Sequence, residues 1–365
     1  MDESEIQKMF FHPVCTRDEI ERIFNVQNAK DYLLKLRAET IVDNTRLFRV
    51  YRRKALASGD SWTLEKSFND AHWQSVIGKL PEDQRAQCKN VTFGDILSTD
   101  PNGMIFETEY GPVATICNSM EFFTKFANLA FLGFKTEVPY HVRINALKIS
   151  IRVMLKTEAM DFSVDPRGVL PADVANEIAR PIPWLKKFIA GHEIAHYILG
   201  HLTNENVIEQ PVLCATSIDD DNYKPSKVFN PSQKNEFEAD LQSILMPKYN
   251  DIERGEVLTG ALLWLAALDV FEHVSDMVCP KAPHRYQTHP SPSERYENLL
   301  TSIPAPQGMP MDDWRQLSEN IKYLKEYLTE DVGFNIENYE FYGSIYLDKP
   351  NSAWRGRELI DRVDY

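Results

Sequence analysis

Six of the nine histidines fall between positions 192 and 289: His192, His196, His201, His273, His284 and His289. At the centre of that group stands Gly191-His192-Glu193-Ile194-Ala195-His196, an HExxH pattern. It lies in a segment, Trp184 to Leu202, whose apolar residues recur at helical spacing: Leu185, Phe188, Ile189, Ile194, Ala195, Ile198 and Leu199. On a helix, residues i and i+4 share a face roughly 6 Å apart, so two imidazoles can converge on one ion. Glu193 is turned by about 100° and can reach a water on that ion rather than the ion itself. Two imidazoles and a carboxylate leave a fourth position open, the pattern of a catalytic zinc site. Zinc lowers the pKa of its bound water and polarises a carbonyl oxygen. The plain alternative is a helix with two ordinary histidines. The apolar surroundings argue against it, because two buried imidazoles and a glutamate without a metal are costly.

A third ligand is needed. His201 is five residues after His196 and Gly200 is four after it, so neither fits the metzincin pattern HExxHxxGxxH. On a continuing helix His201 stands about 900° from His192, on the opposite face, and serves as a cap or packing residue. The next helical segment, Asn235 to Met246, offers Glu236 and Asp240 one turn apart on one face. Glu236 can supply the carboxylate ligand. Asp240 can accept the free N–H of a ligating histidine, His192 by preference, and fix its tautomer. Ala239 between them allows close approach to the HExxH helix. Glu238 points about 160° away from the Asp240 side and is expected in solvent.

These motifs together resemble the gluzincin metallopeptidases of the HtpX and CaaX prenyl protease type. That family carries HExxH, then ExxAD some tens of residues on, then HPxxxxR; here these are HEIAH, EFEAD and His289-Pro290-Ser291-Pro292-Ser293-Glu294-Arg295. The resemblance spans about residues 140–300. It implies a zincin-like core with one Zn2+ per chain, held by His192, His196 and Glu236. It implies Glu193 as general base and then proton donor to the leaving amine, with Asp240 behind the ligands. It further implies His289 near the substrate oxyanion, supported by Arg295. His284 and Tyr286 in the same loop are alternative oxyanion donors, and His273, inside an apolar helix, reads as a satisfied core histidine. The named relatives are mostly membrane-embedded. A second comparison, with cytosolic Lit-like peptidases that cleave one host protein, rests on topology and HExxH alone.

The elements that must position these residues give an α+β fold, mostly helical, with a small sheet. Helical periodicity or composition marks Asp18–Leu36, Trp62–Leu80, Phe122–Phe134, Pro171–Arg180, Glu256–Val274 and Met311–Leu328. Residues 141–157 alternate and are rich in Ile and Val, which predicts one or two strands. The polar stretch 203–235 reads as a long loop, a candidate lid or specificity element, and 275–292 as a Pro/His-rich loop. Three parts follow: a helical region of unknown role over 1–140, a metallopeptidase domain over 141–304, and a helix with an aromatic tail over 305–365.

The 365 residues carry 40 Lys and Arg against 54 Asp and Glu, net −14. That excess repels phosphate and excludes a general nucleic-acid or anionic-membrane binder. Five widely spaced cysteines without CxxC fit reduced thiols in the cytoplasm rather than a disulfide framework. The N-terminus lacks the basic and apolar regions of a signal peptide. The longest apolar run, Val257–Leu268, is shorter than the roughly 20 residues of a membrane span, so no transmembrane anchor is expected. The expected activity is zinc-dependent hydrolysis of a polypeptide held extended along an edge strand. The rivals are a metal-binding regulatory protein with an inactive zincin fold and a hydrolase acting on a non-peptide bond.

Overall fold

The computed structural model describes residues 3–97, 103–201, 207–210, 226–229, 232–279, 290–307, 309–340, 343–344 and 360–361. The fold is α+β and mostly helical, as expected. A five-stranded sheet runs in the order β1-β3-β2-β5-β4, with β1 Thr92–Ile96, β2 Gly103–Thr108, β3 Gly111–Cys117, β4 Val207–Gln210 and β5 Ser226–Phe229. β1 and β3 are parallel and the other neighbours antiparallel. Glu109 and Tyr110 connect β2 to β3, and Gly111 leaves that turn at φ +109°, where a side chain would be strained.

The sheet is not where the alternation of 141–157 placed it. Tyr140–Leu155 is a helix, and the strands come from 92–117, inside the stretch expected to be helical, and from the 203–235 stretch. The physical reason is burial on all sides. From Ala146 to Met154 every residue is buried, so β-branched Ile149, Ile151 and Val153 pack all round a core helix instead of on one pleated face. The Asp18–Leu36 periodicity likewise divides into helices Arg17–Phe24 and Ala29–Asp43. Asn28 starts the second by accepting from the Lys30 and Asp31 amides.

Helix Ile182–Ile198 carries the HExxH residues. Pro181 and Pro183 open it, where a missing N–H costs nothing. Its faces meet the sheet through β2 and β3, helix Gln233–Leu245 and helix Asp251–Val278. The last is 28 residues long and opens on a capping box between Asn250 and Glu253. It crosses close at Gly260, where an added Cβ would stand 2.6 Å from the Leu185 nitrogen. It extends well beyond the 257–268 run, and by length and composition it could cross a membrane, yet 67% of its most apolar window is buried inside the molecule. Each fully buried Leu or Val there stabilises by about 1.5–3 kcal/mol. One apolar cluster draws on residues from Trp73 to Tyr339, including Phe188, Ile194, Ala239 and Leu262, and holds these helices in register.

Candidate metal centre

The centre forms where helix Ile182–Ile198 lies against helix Gln233–Leu245. Two small residues set the spacing. A Cβ on Gly191 would stand 2.9 Å from the Ser243 carbonyl oxygen and 3.1 Å from its Cα, so that position tolerates glycine alone without a shift. Ala239 is fully buried on the facing helix. Ser232 starts that helix by accepting from the Asn235 amide, which places Glu236 and Asp240 on successive turns toward the HExxH residues.

Three side chains converge there. His192 Nε2 and His196 Nε2 are 3.0 Å apart. The Glu236 carboxylate lies 3.3 Å from His196 Nε2 and 3.6 Å from His192 Nε2. A tetrahedral ion with bonds of about 2.0–2.1 Å separates its ligand atoms by roughly 3.3–3.4 Å. The three separations bracket that value, so this buried group could hold a metal ion. Glu193, Glu236, Asp240 and Arg295 are all buried.

Each imidazole is held from behind. His192 Nδ1 is 2.9 Å from Asp240 Oδ1. Asp240, fully buried, accepts from Arg295 Nε at 2.7 Å and Nη2 at 2.6 Å. Arg295 also lies 3.8 Å from Glu236 and 5.4 Å from the Trp264 ring centre. His196 Nδ1 is 3.0 Å from His201 Nδ1. His201 Nε2 is in turn 3.6 Å from Glu238 Oε2.

The electrostatics separate the two imidazoles. Burial disfavours the His192 imidazolium, but the Asp240 hydrogen bond and the Glu236 charge outweigh it and raise its pKa. Burial and the neighbouring His192 push His196 down to about 4, and burial also lowers His201. Burial opposes the Asp240 carboxylate, yet the Arg295 charge and hydrogen bonds hold it below the usual range.

Glu193 is packed under the start of β2. A Cβ on Gly103 would stand 2.6 Å from Glu193 Oε1 and 2.7 Å from Ile189 Cγ2. A larger residue there would have to push aside the end of the Glu193 or Ile189 side chain.

The structure brings His192, His196 and Glu236 together with Asp240 and Arg295; the downstream motif implied instead that Arg295 supports His289. Among the described residues Arg295 makes its short bonds to Asp240. His289, His284 and Tyr286 lie outside the described residues. His273, expected as a core histidine, is only half-buried; it is satisfied by Thr329 Oγ1 at 2.8 Å and the Lys325 carbonyl at 3.2 Å from its Nε2. Glu238 is half exposed, as expected, but reaches His201.

The contact that the spacing concealed is His201 on His196. The helix stops at Ile198, and Gly200 turns at φ +69°. The His201 amide then donates to the His196 carbonyl at 3.0 Å and the Gly200 amide to the Tyr197 carbonyl at 3.3 Å. This pair of bonds is a Schellman ending, and it folds His201 back over the helix. Gly200 was the available signal. Comparison of the chain with known proteins finds no family model, no curated protein and no solved structure that matches it.

Proposed function

We propose that this chain is a zinc-dependent endopeptidase of the gluzincin type. The observation that carries this reading is the approach of His192 Nε2, His196 Nε2 and the Glu236 carboxylate to within 3.0–3.6 Å of one another, with Glu193 next in the chain. Two imidazoles and one carboxylate, with a fourth position left for water or substrate, form the donor set of a catalytic zinc. When bound, zinc lowers the pKa of a water and polarises a substrate carbonyl.

The protein's own groups do the rest. Glu193 accepts a proton from the attacking water and passes it to the departing amine nitrogen. Asp240 and Arg295 fix the His192 ring, which keeps the ligands aligned through the reaction. An extended peptide would add to a sheet edge. At β1 that edge is taken: the Asp95 amide donates to Asp70 Oδ1 and its carbonyl accepts from Arg37 Nε. β4 is the other outer strand and the better candidate. It replaces the 141–157 segment in that role.

The test is cleavage of denatured casein and a peptide library by the zinc-loaded chain, against the same chain stripped by a chelator. New amino termini that appear with zinc and vanish on stripping support the reading. Cleavage indifferent to chelation overturns it. Zinc bound without turnover of any peptide or ester makes the chain a binding protein, and ester turnover alone makes it a hydrolase of another class.

A further inference from the structure

The two ligand imidazoles are supported unequally. His192 rests on a buried carboxylate that a guanidinium locks in place, whereas His196 rests on a second imidazole. Hydrogen accounting decides what that second imidazole does. Between two Nδ1 atoms 3.0 Å apart, one donates and the other accepts. If His201 donated, His196 would carry its proton on Nε2. That proton would then occupy the space between His192 Nε2 and Glu236 and block the ligand position. If His196 donates, its Nε2 lone pair faces the centre. His201 then carries its own proton on Nε2, and the Glu238 carboxylate, 3.6 Å away, lies near enough to favour that N–H electrostatically. Only the second arrangement leaves the Nε2 lone pairs of both His192 and His196 facing the centre as metal ligands, and the nearby Glu238 charge favours it.

We propose that His201 and Glu238 are positioning residues for His196. They fix the tautomer and the ring plane of that ligand, and the Gly200 turn delivers them. The inference rests on the metal-centre reading above and adds to it a chain of three residues, His196–His201–Glu238, that no HExxH spacing specifies. Support of this kind behind a metal ligand typically governs affinity by about 10–100-fold. A packing role for His201 would leave affinity to follow stability alone.

The measurement is zinc affinity of the full chain by chelator competition, with the thermal midpoint of the metal-free protein and the visible spectrum of the Co2+ form. His201→Ala is expected to weaken zinc about 10–100-fold and to shift the Co2+ bands. His201→Asn is expected to recover most of that affinity, because its amide oxygen can take the place of Nδ1 as acceptor. Glu238→Ala, at a half-exposed position that leaves the fold intact, is expected to weaken zinc by a smaller factor. Unchanged affinity in His201→Ala, or in Glu238→Ala should the first variant not fold, overturns the proposal. So does a loss that tracks the thermal midpoint and that His201→Asn fails to restore. A wild-type chain that binds no zinc overturns the metal-centre reading itself, and the two failures are distinguished by that first titration.

Discussion

Glu193→Gln is expected to keep one zinc per chain and to lower peptide hydrolysis by about 10²–10⁴-fold, the usual contribution of a positioned acid–base group. Glutamine has nearly the same shape, so the packing under β2 survives. It cannot take a proton from water. The loss corresponds to about 3–5 kcal/mol of transition-state stabilisation. Zinc content and cleavage rate, measured on the same preparation, check the expectation. A variant that holds full metal and cleaves at the wild-type rate removes Glu193 from the chemistry.

Arg295→Met has the largest expected effect on stability. Asp240 is fully buried and takes two short hydrogen bonds from that guanidinium. With the arginine gone, the carboxylate keeps its charge and loses most of its compensation, which costs about 3–5 kcal/mol in a buried pair. That is a large share of the 5–15 kcal/mol by which a folded protein is typically stable. Adding Asp240→Asn in the same chain removes the stranded charge. The double variant is therefore expected to be less destabilised than the sum of the single ones, by about 0.5–3 kcal/mol. Denaturant titration of the metal-free variants measures the cycle. Additive losses would show that Arg295 acts through packing on Trp264 rather than through Asp240.

The centre was legible in the sequence wherever one helix sets the geometry. His192 with His196, and Glu236 with Asp240, are each four residues apart, and a helix converts that spacing into a shared face. Ala239 between the acids announced the close approach, and Gly191 beside His192 admits Ser243 of the facing helix. The spacing failed where the helix ends. Continuing it through Leu202 places His201 on the far side, whereas Gly200 turns the chain back and sets His201 against His196. Pairings between distant segments, such as Arg295 with Asp240, are fixed by tertiary packing and leave no local trace beyond the downstream motif. The sheet was missed for a related reason. Its strands at 92–117 are five to seven residues long, two of them open on glycine, and their alternation is weaker than that of Tyr140–Leu155. That helix carries strand-favouring residues only because it is buried all round.

The most direct test of the metal centre is anomalous diffraction at the zinc edge from crystals of the zinc-loaded chain. The account predicts one strong peak within about 2.0–2.1 Å of His192 Nε2, His196 Nε2 and a Glu236 oxygen, at ordinary zinc bond lengths. Zinc bound elsewhere, or no peak among these three side chains at full occupancy of the protein, would contradict it.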